Sequence, residues 1–405
     1  MKRYLVGGAV RDQLLGLDVK DRDWVVVGSD IATMESLGYQ QVGQSFPVFL
    51  HPDTHEEHAL ARKERKEGSG YTGFVCDFAP SVTLEEDLLR RDLTVNAIAM
   101  DENGTLVDPY GGQSDLKKRI LRHVSPAFVE DPLRVLRVAR FAARFASIGF
   151  TVAPETMTLM QKIAESGELT TLTQERVWKE WEKSLSYDNP EVFLQVLRDC
   201  GALKFVIPEI DALYGVPQPE KWHPEIDTGI HTIMVAARAA EISKDPLVRF
   251  AAQVHDLGKA KTPEAEWPSH KMHCQTGQKV IRELCERLRI SNDFRDAALV
   301  VCAEHSNVHR AFELKPSTFI KVFDRIDAWR KPERLKILAD TCRADYQGRT
   351  GFENEPYEQA NRLLAAFDAA QCVQVKPIVE AGFKGAQIKE QLGIQRAEAV
   401  ARALA

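Results

Sequence analysis

Two carboxylates two residues apart, Asp21 and Asp23, open the apolar run Trp24-Val-Val-Val27. In an extended strand alternate residues share a face, so both acids are expected to project together. Paired hard oxygen ligands suit Mg²⁺, and two such ions can activate a 3′-hydroxyl while stabilising a pyrophosphate leaving group. Just upstream, Gly7-Gly8-Ala-Val-Arg11-Asp12 lies between an expected strand and an expected helix. Two glycines let the backbone approach a ligand closely, and the N–H groups at a helix start attract phosphate. Arg11, one turn in, is placed to clamp a phosphate oxygen. Each feature alone is ordinary, since most Asp-x-Asp strings are solvated turns; their adjacency points to nucleotide chemistry.

The string GGAVRDQLLGLDVKDRDWVVVG resembles the polymerase-β-like nucleotidyltransferases, specifically the class II group of tRNA nucleotidyltransferases and bacterial poly(A) polymerases. Further motifs follow in order: Arg90-Arg-Asp-Leu-Thr-Val-Asn-Ala97, Asp108-Pro-Tyr-Gly-Gly112, the run from Glu130 to Phe141, and Glu175-Arg176. The resemblance implies that Asp21 and Asp23 hold catalytic Mg²⁺ and that Gly8 and Arg11 hold the triphosphate. It places Arg91, Asp92 and Asn96 in a motif linked to ribose and phosphate contacts. Glu57 stands roughly where relatives have a third acidic strand residue, but His55-Glu-Glu-His58 departs from the usual apolar pattern, and Glu57 is not counted as a ligand.

Asp131, Arg134, Arg137 and Arg140 recur every three residues along one drifting face of the helix expected from Asp131. Cytosine and adenine both present an exocyclic amino donor beside a ring-nitrogen acceptor. A carboxylate accepts from the first and a guanidinium donates to the second. Guanine and uracil put a carbonyl against the carboxylate, an unpaired contact that costs about 1–3 kcal/mol. Asp131 with Arg134 would thus select C and A without a template, and the resemblance assigns the matching pair this role, with Arg137 and Arg140 also engaging the nucleotide.

A second cluster lies in the C-terminal half. His255-Asp256 sits in AAQVHDLGK, preceded by His231 on an apolar helix and followed by His270, His273, His305, His309 and Asp345. Such a mixed nitrogen and oxygen set can hold a divalent ion that lowers the pKa of bound water for attack on a phosphate ester. The pattern resembles the HD-domain metal phosphohydrolases, which implies His231, His255, Asp256 and Asp345 as ligands of Mg²⁺, Mn²⁺ or Ni²⁺, with His255 and Asp256 catalytic. His305 is a weaker match because Ser306 follows it where a repeated His-Asp is expected. His270, His273 and His309 read as surface residues. An HD domain behind a class II head is similar to the tRNA CCA-adding enzymes of gammaproteobacteria. That resemblance implies CCA addition to the tRNA 3′ end from CTP and ATP, together with phosphatase, 2′-nucleotidase and 2′,3′-cyclic phosphodiesterase activities.

The elements that must position these residues follow from pattern and composition. Strands are expected at Tyr4–Val6, Trp24–Val27, Pro47–Leu50, His58–Ala61 and Val95–Met100, and a helix at Val10–Leu15. The Gly-rich, charged stretch 66–73 reads as a mobile loop. From Pro132 onward helical spacing dominates. The expected fold is therefore an α/β polymerase-β-like nucleotidyltransferase head (1–140), then an all-α RNA-binding body (141–225), an all-α HD domain (226–345) and a helical tail (346–405).

The 405 residues, 44% apolar and 28% charged, suit a globular protein with a substantial core. With 53 basic against 59 acidic residues the net charge is −6, which argues against a histone-like role. Lys117–Arg144, with eight basic residues against two acidic, is a local positive field suited to a phosphate-rich substrate and an RNA end. No aromatic RNA-binding pattern appears, so recognition by shape and backbone is expected. Seven scattered cysteines without a CxxC read as reduced thiols, and neither a signal peptide nor a membrane span is expected; the protein reads as cytoplasmic, a monomer or homodimer. The nearest rival is a poly(A) polymerase, but those enzymes tend to carry a basic C-terminal extension, whereas Glu353–Ala405 holds six basic and seven acidic residues. A guanosine-tetraphosphate synthetase/hydrolase would place its HD domain first, and a catalytically retired RNA-binding scaffold would not need both aspartates and the arginine row.

Overall fold

A computed structural model describes residues 1–42, 47–66 and 74–405. Most of the stretch expected to be a mobile loop, 67–73, lies outside the described residues. The chain forms two compact units, Met1–Glu180 with Val196–Val206, and Trp181–Gln195 with Ile207–Ala405.

The first unit is built on a seven-stranded mixed sheet of order β3-β4-β5-β2-β1-β8-β9. Its central strands are β1 (Lys2–Val6) and β2 (Asp23–Val27), flanked by β5 (Glu57–Leu60) and β8 (Ala99–Asp101). The outer strands are β3 (Gln40–Gln41), β4 (Val48–Leu50) and β9 (Leu106–Val107), while β6 (Lys63–Lys66) and β7 (Phe74–Asp77) form a separate hairpin. β1 and β2 are antiparallel with Val6 opposite Asp23; β2 and β5 are parallel with Asp23 opposite Glu57. The β-branched run of β2 explains its central place: Val25 and Val26, on opposite faces, are each almost fully buried, in two different clusters.

Helix α1 (Gly8–Leu14) starts directly after β1 because Gly7 takes φ 67°, ψ −128°, a conformation open to glycine alone. The expected strand Val95–Met100 is only half a strand. Thr94–Asn96 is a 3₁₀ turn, and pairing begins at Ala99. The reason is local: the Asn96 amide donates to Asp92 Oδ1 at 2.9 Å and Leu93 N–H donates to the same oxygen at 2.8 Å, bonds that compete with a ladder.

Four further helices complete the described frame of the first site: α2 (Leu84–Leu89), α3 (Gly112–Lys118), α4 (Leu133–Phe145) and α5 (Pro154–Ser166), followed by α6 (Gln174–Ser184). α4 begins at Leu133 rather than Asp131. Asp131 is extended and acts as its cap, accepting from Leu133 N–H at 3.0 Å through Oδ1 and from Arg134 N–H through its carbonyl. Pro132 then occupies the first turn, where no N–H is needed.

The second unit is helical. α7 (Thr228–Ile242), α8 (Pro246–Val254), α10 (Asn292–His309) and α12 (Glu333–Gln347) pack into a closed ring, with α9 (His273–Leu288) against α10. Asp227 caps α7 and Asp245 caps α8, the latter with Pro246 at its first position. α11 (Pro316–Arg325), α13 (Glu358–Gln371) and α14 (Ala386–Leu404) extend the same core through Phe319, Phe323, Leu363 and Phe367. Truncating a fully buried phenylalanine such as Phe323 would cost about 3–5 kcal/mol.

Candidate active sites

In the first unit one cavity of about 540 Å³ gathers Gly7, Gly8, Arg11, Asp23, Arg91, Asp131, Arg134, Arg137 and Arg140, nearly the whole expected set. Among the described residues its lining has nine arginines against three aspartates, a strong positive field suited to a triphosphate. Asp21 does not line this cavity. It lies ahead of β2, exposed, and lines a neighbouring cleft of about 620 Å³ with Asp23 and Glu57. Asp23 thus stands at the border of both. Burial raises its carboxyl above the ordinary value, the nearby Asp21 adds to this, and Arg91 opposes. A cation would relieve that like-charge pair, so the residues fit a divalent ion. The register also sets Glu57 beside Asp23, on the neighbouring strand.

The arginines are held by a continuous network. Arg144 Nη2 donates to Asp12 Oδ2 at 2.7 Å, and Arg11 Nε donates to Asp12 Oδ1 at 2.9 Å. Arg11 Nη1 donates to Asn96 Oδ1 at 2.5 Å, Asn96 reaches Asp92, and Asp92 Oδ2 accepts from Arg137 Nε at 2.7 Å. Arg11 is 2% exposed and lies over Phe141 and Phe145, with its carbon 5.1 and 4.9 Å from the ring centres. Burial lowers its pKa, although Asp12 counters. Burial would raise Asp92, but Arg137 and Asn96 outweigh it and hold the carboxyl well below the usual range. Arg140 donates to Glu180 at 2.5 Å.

Asp131 and Arg134 come to the same cavity, but Arg134 is anchored on backbone: Nη1 donates to Ala127 O at 2.9 Å and Nη2 to Arg90 O at 2.6 Å. Asp131 Oδ2 lies 3.9 Å from Arg176 Nη2 on α6. Arg91 stands by the glycine turn, since a Cβ on Gly7 would come within 3.0 Å of its Nη1. Its Nη2 donates to the fully buried Asp87, and its Nε is a buried donor without a partner among the described residues. Sequence reading missed Asp87, Asp12 and Glu180. For Asp87 a signal existed, its position four residues before Arg91 on a helix end.

In the second unit His231, His255, Asp256 and Asp345 are all buried and adjoin one another. His231 Nε2 lies 3.0 Å from Asp345 Oδ1; His255 Nε2 lies 3.2 Å from Asp256 Oδ2 and 3.7 Å from Asp345 Oδ2. His255 Nδ1 is 2.9 Å from Ala252 O, which only accepts, so Nδ1 carries hydrogen and Nε2 faces two carboxylates. A proton or a cation must sit between them, and the donor set fits a divalent ion. Against burial, His255 and Lys259 hold Asp256 well below the usual carboxylate range; His309 and Arg349 do the same for Asp345.

Three histidines expected at the surface are not there. His270 is 2% exposed, with Nδ1 2.7 Å from Thr262 Oγ1 and Nε2 2.7 Å from Pro217 O. His309 Nε2 lies 2.7 Å from Asp345 Oδ2, and His273 Nε2 3.2 Å from His305 Nε2. Burial lowers His273 and pushes His305 down to about 3, so both rings are neutral near pH 7. Gly258 and Gly277 make this approach possible: a Cβ on Gly258 would lie 2.0 Å from His273 O and 2.6 Å from Gly277 N. The glycine of His-Asp-Leu-Gly therefore lets the start of α9 abut the His-Asp turn. Glu225, His223 and Tyr357 also join the cluster, with His231 Nδ1 2.8 Å from Glu225 Oε1.

Three family models match in order: the poly A polymerase head domain over residues 3–122, a probable RNA and SrmB-binding site of polymerase A over 149–214, and the HD domain over 228–345. A multifunctional CCA protein of Vibrio campbellii is 66% identical over 404 residues, covering 100% of both chains. One from Aliivibrio salmonicida is 65% identical over 404 residues, covering 100% of this chain and 99% of its own. Among solved structures, the Thermotoga maritima CCA-adding enzyme complexed with tRNA superposes with a TM-score of 0.63 at 20% identity, covering 100% of this chain and 90% of that one. The Bacillus stearothermophilus CCA-adding enzyme in complex with CTP gives 0.60 at 24%, covering 99% and 89%. The head fold is thus the one expected, followed by helical segments and an HD domain. No helix among the described residues is long and apolar enough to cross a membrane.

Proposed function

The chain belongs to the family of multifunctional CCA proteins, nucleotidyltransferases that carry an HD domain, and from that premise we propose how its two sites divide the work. The head adds and repairs the 3′-terminal CCA of tRNA from CTP and ATP, releasing pyrophosphate, with no nucleic-acid template. The observation that carries this reading is the single cavity joining the glycine turn, Asp23, the arginine row and Asp131. Arg91, beside Gly7 and Asp23 with a buried orphan donor, marks the phosphate end, together with Gly8 and Arg11. Asp131 marks the base end. Its Oδ2, the oxygen not used in the cap, would accept from the amino group of C or A, while Arg134, pinned on two carbonyls, holds its guanidinium plane rigid in the same cavity. Arg137 and Arg140, fixed by Asp92 and Glu180, complete the nucleotide's surroundings. Asp21 and Asp23 would hold Mg²⁺, which when bound supplies charge neutralisation at the reacting phosphate.

The HD site would hold a divalent ion, Mg²⁺, Mn²⁺ or Ni²⁺, through His231, His255, Asp256 and Asp345. It hydrolyses phosphate esters, including 2′-phosphates and 2′,3′-cyclic phosphates. His255, through Nε2, and Asp256 would hold the ion that activates the attacking water, and Lys259, 2.7 Å from Asp256 Oδ2, orients that carboxylate. We place the enzyme in the cytoplasm as a monomer or homodimer. The test is incubation with tRNA lacking its 3′ end, offering each NTP separately and together. Addition of C, C and A from CTP and ATP supports the reading, whereas a run of A from ATP alone would identify a poly(A) polymerase instead.

A further inference from the structure

His309 differs from its neighbouring histidines in the atom it turns inward. It ends α10, and its Nε2 lies 2.7 Å from Asp345 Oδ2. A carboxylate only accepts, so that nitrogen carries hydrogen. His255, His273 and His305 do the reverse: each has a backbone carbonyl at Nδ1, which takes up the ring's hydrogen and leaves a lone pair at Nε2. Those three rings have a lone pair to give on the inward nitrogen. His309 has a hydrogen there instead, so it is a donor to Asp345 and not a ligand.

The residue that fixes the ring this way round lies beyond the stretch matching the HD domain, 228–345. The Tyr357 hydroxyl is 2.8 Å from His309 Nδ1. In a neutral ring with its hydrogen on Nε2, Nδ1 is an acceptor, so the hydroxyl donates to it. Burial raises the Tyr357 pKa, which keeps that proton in place. Tyr357 immediately precedes α13, is buried, and packs beside Tyr346 with ring centres 5.1 Å apart, in the core that α13 shares through Leu363 and Phe367. A phenylalanine would fill the same space. What the hydroxyl adds is the bond to His309, without which a buried O–H would be left unpaired. On the other side of the carboxylate, Asp345 Oδ1 is met by His231 Nε2 at 3.0 Å and Arg349 Nη2 at 3.5 Å. Both oxygens are thus engaged, from opposite neighbours.

We infer that Tyr357 and His309 are positioning residues of the HD site, a relay from hydroxyl to imidazole to carboxylate that orients Asp345 without either residue touching the ion. The inference rests on the reading of Asp345 as a ligand, and the two are separable by experiment. It makes the segment after the HD match part of the hydrolase, since the tail supplies the outer end of the relay. Removing the Tyr357 hydroxyl alone frees the tautomer. The ring can then move its hydrogen to Nδ1 and set a lone pair against Asp345 Oδ2, two acceptors facing each other. Outer partners that orient a ligand in this way are worth about 10- to 100-fold in metal affinity.

The probe is Ni²⁺, titrated into the chelator-stripped full chain with Mg²⁺ in excess to occupy the all-oxygen head site. Tyr357→Phe, which keeps the packed ring, should lower Ni²⁺ affinity by on the order of tenfold. His309→Ala should lower it at least as far, and His309→Gln, whose side-chain amide can donate to Oδ2, should bind Ni²⁺ more tightly than His309→Ala. A spectroscopic readout separates positioning from packing. Nitrogen-15 spectra of the metal-free chain at about pH 8, above the imidazole range, identify the His309 ring by its loss in His309→Gln. Wild type should show hydrogen on Nε2 alone, and Tyr357→Phe a mixture of both tautomers. Hydrogen on Nδ1 in the wild-type ring overturns the relay, as does a glutamine that binds Ni²⁺ no better than alanine. Asp345→Asn is titrated alongside. Weakened binding there with wild-type affinity in Tyr357→Phe overturns the relay and leaves the hydrolase reading standing, whereas wild-type affinity in Asp345→Asn overturns both.

Discussion

Asp131 has two separable duties, and a pair of substitutions distinguishes them. Oδ1 caps α4 through Leu133 N–H, whereas Oδ2 lies 3.9 Å from Arg176 Nη2, and the residue lines the cavity. Asp131→Ala removes both. Loss of the cap costs about 1 kcal/mol, which lowers Tm by about 2–4 °C in a unit of this size. Loss of a charged acceptor for the base's amino group costs about 1.5–3 kcal/mol in kcat/KM for CTP and ATP, or about 10- to 150-fold. GTP and UTP, which gain nothing from the carboxylate, are not slowed by that term, so the preference for C and A collapses by the same factor. Asp131→Asn separates the terms, because asparagine caps as well as aspartate but can set an amide donor against the amino donor. Its Tm should stay within a degree or so of wild type, on the scale of cap energies, while discrimination still falls. The assay is incorporation of each of the four NTPs onto tRNA ending before CCA, alongside thermal unfolding. An Asp131→Ala enzyme that prefers C and A as strongly as wild type, slowed equally with all four, would refute base reading at this residue and leave only the cap.

Other outcomes follow from the two sites. Asp21→Ala or Asp23→Ala should abolish nucleotide addition and leave phosphohydrolase activity in place; near-normal incorporation would show that these carboxylates hold no catalytic ion. His255→Ala or Asp256→Ala should remove metal-dependent hydrolysis of 2′-phosphates and cyclic phosphates while CCA addition persists, and hydrolysis surviving in either variant would contradict the assignment. Stability without metal should fall as the pH drops from 7 to 5. Burial holds His223 down to about 4 and His305 down to about 3, against about 6.5 when unfolded, so in this window the unfolded chain binds more protons. The loss is about 2 kcal/mol for each ring, measured by thermal unfolding in chelator; a Tm unchanged between pH 7 and 5 would refute it.

The head was legible where chemistry and secondary structure share a short stretch of chain. The Val run of β2, the Gly-Gly turn and the arginine repeat each report a local constraint, and local constraints survive in a linear string. What escaped was the set of acids that hold the arginines. Nothing near Asp12 tells of Arg144, 132 residues away, and nothing near Glu180 tells of Arg140. The strand expected through Val95–Asn96 failed for a related reason: the apolar run was present, but Asn96 was committed to Asp92 and Arg11, bonds that a strand would have broken.

The histidines of the second unit show the same division more sharply. His255-Asp256 could be read because the two are adjacent, whereas His309, four residues after His305 on the same helix, reads from sequence as a surface residue. His273 could not be read, since its position depends on the contact between Gly258 and Gly277, which brings α9 against the His-Asp turn. A histidine is intermediate in burial, so its sequence position alone does not say whether it is exposed, and a tertiary contact decides. Burial has a cost: a buried neutral ring must give its N–H to a fixed acceptor and leave its other nitrogen facing inward. His255, His273 and His305 each meet that cost with a backbone carbonyl at Nδ1, and each then turns Nε2 toward Asp256. Three rings oriented alike around one carboxylate are hard to account for as packing alone, because apolar side chains would fill the same space without the desolvation penalty. The arrangement makes Asp256, rather than any single histidine, the residue around which these three rings are ordered.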